Sequence, residues 1–392
     1  MRVDVGSLAT VNALARSGAE RGARALTSLT NVETRVDLTD VTFQPRSSLV
    51  ESVADGEYVG VHVGFEGGLS GRTALAFDRE SASAVAKLLV PGEAGDDLAQ
   101  SGLMEVGNIL VSGFIDEWAN HLGRSINLRP PSFVEASGAR VFPPAVREGD
   151  PDEQIVAFHA DLATVDEAVD VDVYVVPGRE ALGTILGAGD GENPLAVRTL
   201  SAFAALTQRG AERAAETTSA MTGIETDVDV FRFSAVPVED VPSRLGDDRY
   251  VGTVFGLEGT PSGYFAVLFD AASSDHVVEA LVPLEDPDPE LRESAVKELG
   301  NVVTSGFVDG WANALGGTVE HTPPDYVDDF GDAILSPLAG RLGQSQEVAF
   351  VLDSIVGTPD ESVNCELIAL PEADSFQRAL DSFPIDAALD QQ

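Results

Sequence analysis

Two periodicities alternate along this chain. Residues Leu8 to Leu29 are rich in Ala, Arg and Glu with apolar positions at helical spacing, which predicts a long helix. Apolar stretches at Tyr58 to Phe65 and Thr73 to Phe77 flank a Gly-rich turn and predict a β-hairpin. A short helix is expected from Arg79 to Leu89 and a long one from Ser101 to Leu122. Strands are expected around Gln154 to Ala160 and Val171 to Val176. Helical spacing returns from Leu200 to Met221. Helices interleaved with hairpins predict an α+β fold, in which long helices pack on a largely antiparallel sheet.

The whole pattern occurs twice. Sliding the chain against itself by 192 or 193 residues pairs GAERGA at Gly18 with GAERAA at Gly210, and VGVHVGFEGGLSG at Val59 with VGTVFGLEGTPSG at Val251. It also pairs QIVAF at Gln154 with QEVAF at Gln346. So long a period marks two tandem domains rather than a solenoid. The Gly/Asp/Pro run GAGDGENP reads as their linker, giving domains at 1–186 and 195–392 with a junction at 187–194.

The best-matched segments are SGLMEVGNILVSGFIDEWANHLG from Ser101 and SAVKELGNVVTSGFVDGWANALG from Ser294. At about 100° per residue, Leu103, Leu110, Phe114 and Trp118 form one stripe. Ser101, Glu105, Asn108, Ser112 and Asp116 form another, and Ser294, Glu298, Asn301, Ser305 and Asp309 repeat it. Glu and Asn at i and i+3 point the same way and can touch one partner together. Gly107 and Gly300 beside them weaken a helix by roughly 1 kcal/mol against Ala, and suit a place where another element packs closely. A polar helix face is ordinarily just solvated. Here it recurs although the copies have drifted, and Asn gains nothing from a purely solvent-facing helical position.

Composition mostly excludes. Acidic residues number 65 against 24 basic ones, a net charge of −41, and only Lys87 and Lys297 are lysines. Such a surface suits a cytoplasmic protein from a high-salt organism, where carboxylates hold water and salt screens their repulsion. It disfavours nucleic acid and anionic lipid as partners. The single Cys365 excludes an internal disulfide and reads as a small core residue of a strand. No segment reads as long and apolar enough to span a membrane, so no membrane insertion is expected, and the N-terminus does not open like a signal peptide. The five histidines, His62, His121, His159, His276 and His321, occupy no matching positions, so no metal site is expected from them. DYVDDFGD, Asp325 to Asp332, lacks the ligand order of a Ca²⁺ loop and reads as a solvated loop. Neither a phosphate-binding lysine loop nor a nucleophile elbow is present.

Ser-x3-Glu-x2-Asn-x21-Pro describes Ser101, Glu105, Asn108 and Pro130, and again Ser294, Glu298, Asn301 and Pro323. That signature resembles the one shared by the CheC/CheX/FliY chemotaxis phosphatases, and the resemblance covers both halves. It implies two CheC-like domains, each with an internal pseudo-twofold repeat, that dephosphorylate the response regulator CheY in the cytoplasm. Glu105, Asn108, Glu298 and Asn301 would be the catalytic residues. Family domains carry a second Glu/Asn pair on their first helix. Here those positions hold Ala9 and Asn12, and Ser201 and Ala204, leaving Asn12 as a degenerate half-site or a solvated residue.

The implied chemistry suits so sparse a site. An aspartyl phosphate is an activated acyl phosphate, and the regulator brings its own Mg²⁺ and Lys, so no cofactor of this chain is needed. A carboxamide can hold the attacking water, while a carboxylate pairs with the regulator's Lys. The alternative is a non-catalytic adaptor that binds CheY, the deamidase CheD, or both.

Overall fold

The computed structural model describes residues 5–51, 53, 56–89, 96–149, 154–164, 170–177, 210–246, 248–282, 284, 287–315, 318–358 and 363–382. Backbone contacts divide the chain into two compact units, one built on Gly6–Pro194 and the other on Leu195–Gln392. The proposed linker, 187–194, lies outside the described residues.

The first unit runs α1 (Val5–Thr30), β1 (Thr34–Pro45), α2 (Arg46–Glu51), β2 (Glu57–Gly67), β3 (Gly71–Asp78), α3 (Arg79–Leu89) and α4 (Asp96–Leu122). It continues with β4 (Ile126–Leu128), β5 (Ser132–Ser137), a 3₁₀ turn (Gly138–Val141), α5 (Pro144–Arg147), β6 (Gln154–Thr164) and β7 (Asp170–Pro177). The strands lie in the order β5-β2-β3-β7-β6-β1, all antiparallel, with β4 beside β5 on the same flank of β2. Helix, strand, hairpin thus occurs twice: α1, β1, β2–β3, then α4, β5, β6–β7. Each single strand pairs with the other half's hairpin, and β3 meets β7 in the middle. This is the internal pseudo-twofold repeat that the resemblance implied.

Alternation along β2 separates the two faces of the sheet. Val61 points at α4, where a Cβ added to Gly107 would lie 2.5 Å from its Cγ1. Phe65 meets the edge of Trp118 on α4 at 6.3 Å, and Phe158 of β6 meets the same indole at 4.6 Å. On the opposite face Ala74, Ala76 and Tyr174 pack with Val141, Phe142 and Val146, the 3₁₀ turn and α5. Helix α1 crosses α4 at glycines: a Cβ on Gly18 would come within 2.8 Å of the Phe114 Cα, and one on Gly113 within 2.7 Å of the Gly22 nitrogen.

The second unit repeats this plan. A helix over 210–222 (α6) precedes β8 (Asp227–Pro237), β9 (Arg249–Gly259), β10 (Gly263–Asp270), α7 (Ala271–Leu281) and α8 (Pro289–Leu315). Then come β11 (Val319–His321), β12 (Asp325–Phe330), α9 (Gly331–Leu342), β13 (Val348–Gly357), β14 (Asn364–Pro371) and α10 (Ala373–Ser382). The order is β12-β9-β10-β14-β13-β8, with β11 beside β12 on β9. Phe307 and Trp311 of α8 meet Phe265 of β10 in a tilted row, with centroids 4.7 and 5.2 Å apart. The far face is covered by α9, through Ile334, Leu335, Leu338 and Leu342.

Two expectations are corrected. Asp325–Phe330 is a strand, β12, and Gly331 and Asp332 open a helix, so this acidic run is not a loop. Its outward carboxylates occupy an edge of the unit's sheet, where charge discourages further strand pairing. And Asp97–Leu122 is, by length and composition, apolar enough to cross a membrane. The reason lies in its packing. Besides Leu103, Leu110, Phe114 and Trp118 it buries Val106, Val111 and Ile115, so it is apolar on more than one side.

Candidate active site

The outward stripe of α4 and α8 is where the helical period put it. Ser101, Glu105 and Asp116 are exposed, Asn108 and Ser112 half-buried, and Ser294, Glu298, Asp309, Asn301 and Ser305 match them one for one. The buried stripe is equally faithful: Leu103, Leu110, Phe114, Trp118, Phe307 and Trp311 are all in the core. Glycine under the Glu/Asn pair lets the helix settle on the strand. A Cβ on Gly300 would stand 2.1 Å from Thr253 Oγ1, as one on Gly107 would meet Val61.

The serines of the stripe are turned back onto their helix. Ser101 Oγ donates to the Asp97 carbonyl at 2.9 Å, Ser112 Oγ to that of Asn108 at 2.6 Å, and Ser305 Oγ to that of Asn301 at 2.8 Å. With their hydroxyl protons given to a carbonyl, Ser101 and Ser112 are not set up as nucleophiles. The carboxamides of Asn108 and Asn301 and the carboxylates of Glu105 and Glu298 make no hydrogen bond to another described side chain or backbone group, so they are available to a visitor.

Pro130-Pro131 and Pro323-Pro324 interrupt the strand that flanks β2 and β9. Arg129 N–H still donates to the Gly64 carbonyl at 2.8 Å, and Thr322 N–H to that of Gly256 at 2.9 Å. The prolines that follow have no N–H to give, so the ladder breaks and resumes as β5 or β12. Helix α4 packs on β4 and β5, and α8 on β11 and β12, so the motif's proline belongs to the strand that borders its helix.

A residue outside the motif joins the second site. His321 Nδ1–H donates to the Thr322 carbonyl, which leaves Nε2, 3.0 Å from Ser305 Oγ, to accept the Ser305 hydroxyl proton in competition with the Asn301 carbonyl; the contact ties α8 to the edge strand next to Pro323. Its ring sits edge-on to Phe255 at 5.3 Å. The first copy has Leu128 in this place. His321 has no counterpart in the first copy, so the repeat does not mark it; its place two residues before the motif proline is the available signal.

Asn12 is not a solvated residue. It lies on α1 with 1% of its surface exposed. Ala9 lies on the same helix, and Ser201 and Ala204 are outside the described residues. Among the described residues no cluster of three His, Cys, Asp or Glu side chains could hold a metal ion.

A model of the chemotaxis phosphatase CheX matches residues 59–149, which include Glu105, Asn108 and Pro130, and one of the CheC-like family matches 291–327, which include Glu298, Asn301 and Pro323. A Halobacterium salinarum protein named "Putative CheY-P phosphatase CheC1" is 36% identical over 190 residues, spanning 47% of this chain and 96% of that protein. This chain belongs to the CheC/CheX/FliY family. Solved structures with a similar course include Thermotoga maritima FliY, 18% identical, covering 47% of this chain and 96% of that one at a TM-score of 0.39. Another is a CheX–CheY–BeF3–Mg²⁺ complex from Borrelia burgdorferi, 18% identical, covering 45% and 99% at a TM-score of 0.31.

Proposed function

We propose that each unit of this CheC-family protein hydrolyses the aspartyl phosphate of a cytoplasmic CheY-type response regulator, with Asn108 and Asn301 positioning the water and Glu105 and Glu298 docking the regulator. The observation that carries this reading is the uncommitted carboxamide beside an exposed carboxylate, present on the outward face of both signature helices. The name of the Halobacterium relative supports the same substrate.

The chemistry asks little of such a surface. The water oxygen attacks phosphorus, the bond from phosphorus to the regulator's carboxylate oxygen breaks, and inorganic phosphate leaves behind a free Asp. The regulator's own Mg²⁺ and Lys neutralise the phosphoryl oxygens. A carboxamide accepts one hydrogen bond from the water and can donate another to the phosphoryl group, which holds the attack in line. A carboxylate would repel the phosphate, so Glu105 and Glu298 act better on the regulator's cationic Lys.

The test is decay of the phosphorylated regulator with Asn108→Ala, Asn301→Ala and the double variant. Each single variant is expected to keep the other site's activity. The double variant should lose roughly a hundredfold acceleration, about 2.7 kcal/mol of barrier. Acceleration equal to wild type in the double variant would sink the assignment. A wild-type chain that binds the regulator and retains CheD in a pull-down, yet does not speed decay, would instead be an adaptor.

A further inference from the structure

Five large apolar side chains are exposed among the described residues: Leu29, Leu98, Leu284, Leu291 and Phe330. A lone exposed leucine is ordinary. Leu98 and Leu291 are not a random pair. Leu98 precedes Glu105, and Leu291 precedes Glu298, by the same seven residues in sequences that otherwise differ there, DDLAQS and PELRES. Seven residues of helix come back to within about 20° of the starting direction and advance about 10 Å along the axis. Both leucines therefore stand on the Glu/Asn face, in the first turns of α4 and α8, 53% and 37% exposed. Ile109 and Val302, each next to the site Asn, lie half-buried along the same side.

We propose that Leu98 and Leu291 are apolar anchors for the phosphorylated regulator, each filling a pocket or apolar patch about 10 Å from the cation that meets Glu105 or Glu298. This rests on the function proposed above and adds a docking contact to it. The occupant is the regulator because the leucine is continuous with the face that must touch it. An exposed Glu–Lys pair contributes little on its own and fades with added salt. A buried leucine contributes more and does not weaken with ionic strength. A face made of exposed carboxylates and one amide needs such a contact to hold a partner in register. The two leucines are then positioning residues that set KM, while the asparagines set turnover.

The experiment compares regulator-dependent decay by the full chain carrying Leu98→Ser and Leu291→Ser together with that of the wild type. The expected result is a KM raised about tenfold and kcat within twofold in a chain that stays folded, its melting temperature lowered only by the burial and helix propensity that two half-exposed leucines lose. Leu→Met at both positions should restore KM. The defect should persist in high KCl, whereas that of Glu105→Gln with Glu298→Gln should shrink. An unchanged KM, or a loss confined to kcat, would each overturn the anchor. The Asn108→Ala/Asn301→Ala variant separates the two ideas: if it loses turnover while the leucine variant keeps its KM, the anchor fails and the phosphatase reading stands.

Discussion

Thr253 occupies on β9 the place that Val61 holds on β2, directly under the glycine of the second signature helix. Its hydroxyl is fully buried and finds no hydrogen-bond partner among the described residues. An unserved buried hydroxyl costs about 1–3 kcal/mol, and valine replaces it with a methyl of similar shape. Thr253→Val should therefore raise stability by about 1 kcal/mol, seen as a higher melting temperature; no rise would mean that the hydroxyl is served. Single residues were unevenly legible in the sequence. Glu105, Asn108 and their repeats could be placed because a 3.6-residue period fixes direction once the apolar stripe is known. Asn12 could not, since periodicity tells where a side chain points but not what closes over it. His321 was missed because its role depends on a neighbour across the sheet edge, Ser305, that no local pattern links to it.

Helix against strand is the scale at which the site is held in place. At Gly107 an added Cβ would stand 2.5 Å from Val61 Cγ1, and at Gly300 2.1 Å from Thr253 Oγ1, both inside any real contact. Alanine would favour the isolated helix by roughly 1 kcal/mol, but overpacking costs about 1–3 kcal/mol, so strain wins. The helix must lift off the strand just where Asn108 or Asn301 follows. Gly107→Ala together with Gly300→Ala is expected to lower stability by about 1 kcal/mol in urea titration and to reduce kcat several-fold in the decay assay. Activity that stays at wild type would mean that the helix need not sit so close. Long elements were legible from their period: α3 spans the predicted Arg79–Leu89, and β2, β3, β6 and β7 enclose the predicted strands. Asp325–Asp332 was not, because acidic composition resembles a loop until an antiparallel neighbour supplies its hydrogen bonds.

Across the whole molecule the sequence displays the larger repeat directly, while the twofold inside each unit, implied by the family resemblance but by no local pattern, rests on pairings between distant segments, Gly71–Ala76 with Asp172–Pro177 and Gly263–Phe269 with Cys365–Pro371. Strand order is set by such partners, which no local pattern records. That second central pairing also places the lone thiol. Cys365 sits on β14 between Phe269 of β10 and Val356 of β13, 3% exposed, and burial holds its pKa well above the ordinary thiol value. Two barriers then act together against alkylation: little access, and little thiolate. Iodoacetamide at pH 8 should leave the native chain unmodified and label it once the second unit unfolds. Each unit buries one tryptophan, Trp118 or Trp311, so Trp118→Phe leaves fluorescence reporting on the second unit alone. In that variant, labelling and fluorescence should follow one urea transition. Because the unfolded thiol ionises at lower pH than the folded one, the contribution of Cys365 to stability should be constant below the free-thiol pKa. Above it, stability should fall by up to about 1.4 kcal/mol per pH unit until the folded thiol also ionises. Cys365→Ala should remove this slope between the free-thiol pKa and about pH 10, above which Tyr250 and Tyr326, whose folded pKa values burial also raises, add a slope of their own. Rapid labelling of the native chain, or an unchanged slope in the alanine variant, would show that Cys365 is not sealed in the sheet.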